Sequence, residues 1–136
     1  MGMIAEPSDL ELQVLSVFWE TGPMTVRQLL DQLPDRKKRA YTTVLTVLQV
    51  MEKKGLVAHD RDGITHVYRA AVQRRQVMRP LMRRMLQNVF GGKPSLAVQY
   101  LVNADISADE LEAIQKVIDD AADKKQAREG DNDVDH

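Results

Sequence analysis

Apolar side chains in this chain recur mostly every three or four residues and alternate in only one place. Leu10, Val14, Val17 and Phe18 make one helical stripe, with Leu15 and Trp19 beside it, stopped by Gly22-Pro23. Val26, Leu29, Leu30 and Leu33 make a shorter one that ends at Pro34. Val44, Val47, Leu48 and Met51, widened by Leu45, make a third, closed by Gly55 just after Lys53 and Lys54. Cations suit that end because the helix dipole leaves it negative. Ser8-Asp9-Leu10-Glu11 and Thr25-Val26-Arg27-Gln28 each read as a capping box, in which a hydroxyl and a carboxylate or amide satisfy helix-start amides reciprocally. The period then changes. Val57, Val67 and Tyr68 fall in partial alternation within 56–60 and 65–70 around a turn at Arg61-Asp62-Gly63, the signal of a β-hairpin.

Three short helices followed by a two-stranded hairpin predict a winged helix-turn-helix, mainly α with a small β-hairpin wing, over residues 1–71. After residue 71 the helical period returns through Val77, Met78, Leu81, Met82, Met85, Leu86 and Val89. Pro80 is expected to kink or divide this run, since an interior proline costs on the order of 3 kcal/mol. Gly91-Gly92 ends it, a short apolar segment follows from Ser95 to Val102, and Ser107-Ala108-Asp109-Glu110 opens a last helix. These helices are too few to enclose a core, so residues 72–126 are expected to dimerise with a second copy. Leu86, Val89, Phe90, Leu96, Leu101, Leu111, Ile114 and Ile118 are the contact candidates. Residues 127–136 are acidic and nearly free of apolar side chains, which predicts a disordered tail.

The net charge of −1 hides a division. Residues 27–93 hold 15 Lys/Arg against 5 Asp/Glu, residues 1–26 none against 4, and residues 94–136 hold 4 against 11. A basic centre between acidic ends points to a polyanion partner on one face. The centre of that block is the third helix, whose face opposite the apolar stripe carries Thr42, Thr46, Gln49 and Lys53. Short hydroxyls and an amide suit base edges in a DNA major groove, so Thr42, Thr43, Thr46 and Gln49 are the base-reading candidates. Threonine is a poor helix former, and three of them would be an odd choice for solubility alone. Lys37, Lys38, Arg39, Tyr41, Lys53, Lys54 and Arg61 are phosphate candidates, with a minor groove the alternative for Arg61 at the wing tip. Arg74, Arg75, Arg79, Arg83 and Arg84 either reach flanking phosphates or pair with acids of a second subunit such as Glu110 or Glu112; the sequence leaves both open.

Other chemistries fall away. Zero cysteines remove disulfides, thiolate catalysis and sulfur-ligated metals, and make the cytoplasm the default compartment. No apolar run approaches 18 residues, so no membrane insertion is expected. No nucleophile–base set, glycine-rich phosphate loop or carboxylate pair beside a histidine appears, which predicts a protein that is not an enzyme and needs no cofactor. His59 and His66 sit in the hairpin, but two histidines without a third ligand are more commonly ordinary strand residues than a metal site. The methionines fall at core spacings, and Trp19 reads as packing.

Ala40-Tyr41-Thr42-Thr43-Val44, Leu48-Gln49, Lys53-Lys54-Gly55-Leu56-Val57, Val67-Tyr68, Val89-Phe90-Gly91-Gly92 and Ser107-x-x-Glu110-Leu111 together resemble the penicillinase-repressor (BlaI/MecI) family over roughly Ser8 to Ile118. The resemblance implies a homodimeric repressor whose winged helix binds double-stranded DNA at palindromic operators. It further implies control of β-lactamase or related resistance genes, and removal by proteolysis under a membrane-bound sensor-protease. The family's scissile bond, usually Asn-Phe, aligns with Gln99–Tyr100, and Val50 stands where relatives often carry Arg. Two other readings stay open from sequence: a winged-helix regulator that releases DNA on binding a small molecule, and a winged helix serving as a protein-interaction module without DNA.

Overall fold

Two capping boxes, a glycine-closed helix and a hairpin set the path of the first half of the chain, and the computed structural model describes it with residues 6–34 and 39–134. In chain order the elements are α1 (Asp9–Thr21), α2 (Val26–Gln32), α3 (Tyr41–Lys53), β1 (Val57–Asp62), β2 (Thr65–Ala70), α4 (Arg74–Val89), α5 (Pro94–Val102) and α6 (Ala108–Val134). Both boxes close as the spacing requires. Glu11 N–H donates to Ser8 Oγ at 3.3 Å while Ser8 N–H donates to Glu11 Oε1 at 2.9 Å, and the Thr25–Gln28 pair repeats this at 3.2 and 2.9 Å. The end of α3 is a Schellman motif: Leu56 N–H donates to the Met51 carbonyl at 2.9 Å and Gly55 N–H to Glu52 at 3.0 Å, with Gly55 at φ +81°. Only glycine takes that backbone geometry without steric cost, and the motif drives Leu56 into the core, where it is fully buried.

The hairpin is antiparallel with Val57 opposite Ala70 and Asp62 opposite Thr65. The expected turn at Arg61-Asp62-Gly63 lies one residue later, at Gly63-Ile64, because Asp62 still pairs in the ladder. Gly63 at φ +66° with no positive φ at Ile64 is the pattern of a type II′ turn, which matches strand twist. Tyr68 exchanges both backbone bonds with Met24, at 2.9 and 2.8 Å, fastening the wing to the α1–α2 connection.

Chain contacts divide the molecule into two compact units, 1–84 and 85–136. The first has a core of Val14, Leu15, Phe18, Leu29, Val44, Leu48, Met51 and Leu56, to which α1, α2, α3 and the wing all contribute. Where the sequence put the winged-helix boundary after residue 71, this unit runs to Arg84. Val77 is 4% exposed and joins the core, and Trp19 Nε1 donates to the Val72 carbonyl at 2.9 Å. The Arg74 guanidinium lies 5.5 Å over the Trp19 ring and pairs with Glu20, and Arg84 pairs with Glu6. These arginines thus find local acids, a third outcome beside the two the sequence left open. Pro80 does not divide α4, which continues through it. The helix forgoes one amide donor there, and the buried Val77 turn holds it in register.

In the second unit, Gly91 and Gly92 (φ +59° and +76°) end α4 and Pro94 begins α5. Glu110 N–H donates to Ser107 Oγ at 3.1 Å at the start of α6. The expected disordered tail from residue 127 is corrected here: α6 extends to Val134, with residues 135–136 outside the described part. Ala121, Ala122, Lys124, Lys125, Gln126, Ala127, Arg128 and Glu129 are strong helix formers without a proline among them. Low hydrophobicity argues against a buried core there, not against a helix.

Candidate nucleic-acid interface

α3 has two faces of opposite character. Val44, Leu48 and Met51 are at most 1% exposed, while Thr42, Thr43, Thr46, Gln49, Val50 and Lys53 all face solvent. The four base-reading candidates are therefore brought together on the outer surface of one rigid helix. Thr46 differs from the others because its hydroxyl donates to the Thr42 carbonyl one turn back, at 2.9 Å. That spends its hydroxyl proton and leaves lone pairs and a methyl group to face outward.

The phosphate candidates separate. Lys53 is exposed at the end of the outer face, Arg61 is exposed on β1 across from His66, and Arg39 is partly buried just ahead of α3. Lys37 and Lys38 lie outside the described residues. Tyr41 is 44% exposed, with the Arg27 guanidinium 5.7 Å from its ring centre, so Arg27 is a cation at this surface that the sequence reading passed over. Lys54 is turned elsewhere: its Nζ sits 2.9 and 3.0 Å from the two carboxylate oxygens of Glu11. Its neighbour Lys53 stays exposed on the outer face of α3.

Glu11 is 4% exposed. Burial alone would push its carboxyl up, but the Ser8 amide, the Lys54 ammonium and the Ser8 hydroxyl outweigh it and hold the group below its ordinary value of 4.5. A lowered folded-state value means that its contribution to stability is present above pH 4.5 and is lost as pH falls through the folded value. Glu11→Gln is expected to cost on the order of 1 kcal/mol at neutral pH, discounted because Lys54 is partly exposed, and to flatten acid unfolding below pH 4.5. Acid titration followed by circular dichroism checks this; equal steepness in both proteins would show that the pair does not link folding to protons.

Between α3 and the wing lies an open cleft of ≈ 630 Å³, lined among others by Arg27, Tyr41, Gln49, Glu52, His59 and His66. His59 and His66 are diagonal neighbours across the hairpin with rings stacked at 4.4 Å, and His59 Nδ1 lies 2.5 Å from Glu52 Oε1. The sequence left Glu52 out of this group because carboxylate and histidine meet only when α3 packs on β1. Among the described residues, no set of three His, Cys, Asp or Glu side chains is arranged to hold a metal. Tyr68 beneath the rings is buried, and desolvation, with the nearby Glu52 and Tyr41 charges, pushes its phenol up.

In the second unit the expected contact residues lie at the surface of the single chain. Val89 is 67% exposed, Leu101 58%, Leu111 43% and Ile118 47%, while Leu86, Phe90, Leu96 and Ile114 are half-buried. Val117, a further apolar side chain of α6, is 68% exposed. Gln99 and Tyr100 are exposed in the middle of α5, the Tyr100 ring 5.7 Å from that of Phe90. No helix is long and apolar enough to cross a membrane among the described residues.

The family model described as penicillinase repressor matches residues 7–120. The transcriptional regulator BlaI of Mycobacterium tuberculosis is 36% identical over 120 residues, covering 87% of this chain and 86% of its own. The penicillinase repressor of Bacillus licheniformis is 22% identical over 126 residues, covering 92% and 98%. Among solved structures, a MarR family protein from Bacillus stearothermophilus shares the fold at a TM-score of 0.50 and 17% identity, over 90% of this chain and 77% of that one. The monomeric form of Bacillus licheniformis BlaI in complex with the blaP half-operator aligns over 54% of this chain and 90% of its own, at 26% identity and a TM-score of 0.46. The chain belongs to the penicillinase-repressor family of transcriptional regulators, which are not enzymes.

Proposed function

We propose that the protein is a cytoplasmic, homodimeric DNA-binding repressor that occupies a palindromic operator through two winged-helix units. One observation carries the dimer: among the described residues of 85–136 none is buried, although Leu101, Leu111, Val117 and Ile118 are large and apolar. A helical unit without a fully buried residue has little apolar burial to offset the entropy of its own ordering. A second copy supplies the missing half, and it also supplies affinity, since one winged helix alone offers too small an interface for tight specific binding. Two copies of α3 would enter successive major grooves about one turn, roughly 34 Å, apart. Thr42, Thr43, Thr46 and Gln49 would read base edges, with Lys53, Arg61, Arg39, Tyr41 and the uncharted Lys37 and Lys38 at phosphates.

Relief follows from the same layout. Hydrolysis of the peptide bond between Gln99 and Tyr100, or another signal acting on α5 or α6, would separate α6 from the DNA-binding unit and remove the avidity on which occupancy rests. The exposure of both residues favours this bond, although α5 must open locally before a protease can hold it in extended form. A membrane-bound sensor-protease is the upstream partner the family resemblance suggests.

The two neighbouring lysines test the DNA-facing geometry. A duplex is first selected by the full-length protein from a random library, and its affinity is then measured against salt. Lys53→Ala is expected to weaken binding to selected and random duplexes alike and to lower the salt slope by about 0.9 per subunit. Lys54→Ala should leave that slope unchanged, because this ammonium is held by Glu11. If the two variants shifted the slope equally, the proposed orientation of α3 would be wrong. Failure to enrich any duplex would end the reading as a whole.

A further inference from the structure

Resting on the reading of α3 as the base-contacting helix, we infer that Thr46 and Val50 form an apolar reader for the C5-methyl group of thymine. Thr43, Thr46 and Val50 follow one another at i, i+3, i+7 spacing and share one exposed flank of α3. Val50 is 44% exposed, a β-branched hydrocarbon on a surface otherwise made of hydroxyls, an amide and a cation. The hydroxyl of Thr46 is already bonded to the Thr42 carbonyl at 2.9 Å, which favours contact through its methyl. Beside them, Thr46, Val47 and Val50 line a groove of ≈ 210 Å³ running toward Ser8, Glu11 and Lys54. Glu11 and Lys54 neutralise each other within 3.0 Å, so the groove presents no unbalanced charge to a base edge.

The chemistry of the major groove leaves few occupants for such a patch. Guanine, cytosine and adenine offer donors and acceptors there, which a valine cannot satisfy and would desolvate at a cost. Thymine alone offers a methyl group. A cation at position 50 would favour a phosphate or a guanine, and valine removes that option. Val50 is thereby a specificity-determining residue, with Thr46 its partner one turn earlier.

Deoxyuridine substitution isolates the methyl, since it removes one carbon and keeps every hydrogen-bonding group. The duplex selected by the full-length protein is remade with each thymine replaced singly by deoxyuridine, and affinities are compared. At one position per half-site the wild-type protein should lose about fourfold, the worth of one buried carbon. Val50→Ala and Thr46→Ser, which keeps the bond to Thr42, should each reduce that ratio toward one while still binding the duplex. Both positions are exposed, and circular dichroism shows whether the variants are folded. Absence of any sensitive thymine in a tightly bound duplex overturns the thymine reader alone. A sensitivity that both variants retain in full places the methyl against other residues and overturns it as well. A selection that enriches no duplex overturns base reading by α3, and this inference with it.

Discussion

A chain carrying Leu111→Asp and Ile118→Asp is expected to sediment as a monomer and to bind a duplex with two half-sites at least about 100-fold more weakly than the wild type. The two side chains are 43% and 47% exposed within the single chain, so replacing them removes no core residue from it. Between two copies the same positions would be desolvated, and a carboxylate placed there without a partner would cost several kcal/mol. The loss should be confined to the two-site duplex. Binding to a single half-site uses one α3 and its phosphate contacts, and it should fall little. Sedimentation equilibrium and titration of both duplexes separate these effects. A double variant that stays dimeric would place the interface elsewhere, and a monomer that grips two half-sites as tightly as the wild type would remove the need for avidity.

Legibility from sequence followed the range of the interactions. The capping boxes at Ser8 and Thr25 and the Schellman motif at Gly55 are complete within six residues of chain, so spacing alone located them. The division of α3 into a buried and an outward face was equally plain, because helical period assigns faces without any tertiary knowledge. What escaped were pairings across long stretches. Glu11 and Lys54 stand 43 residues apart, and nothing in the lysine pair distinguishes the one that turns inward. Glu20 and Glu6 claim Arg74 and Arg84 for the same reason, over 54 and 78 residues. The stack of His59 on His66 was half visible, as a hairpin brings such residues near each other, but its third member comes from α3. The tail differs on another ground: its low hydrophobicity suggests disorder, whereas its helix propensity carries α6 on to Val134.

Leu48→Ala should lower the stability of the winged-helix unit by about 2–5 kcal/mol, among the largest effects any single truncation can have here. Leu48 is fully buried at the centre of the inner face of α3, between Val44 and Met51. Its removal leaves a cavity under the helix that carries the DNA-facing residues, and α1, α2 and the hairpin cannot close it without breaking the caps that fix them. For a unit of this size, each kcal/mol corresponds to about 4–8 °C in melting temperature, so a drop of at least 8 °C is expected. Leu48→Met, which nearly conserves volume, should cost under about 1.5 kcal/mol. The consequence reaches beyond stability, because the buried core residues described for this unit run from Val14 to Val77. Leu48→Ala should therefore weaken DNA binding on warming while the protein remains dimeric, the mirror image of the Leu111/Ile118 variant, which stays folded in its winged helix and loses its partner. Thermal melting followed in parallel by DNA binding and by sedimentation distinguishes the two. Loss of the dimer in step with the winged helix would mean that α1 to α4 help hold the subunits together, and the division of labour between the units would have to be redrawn.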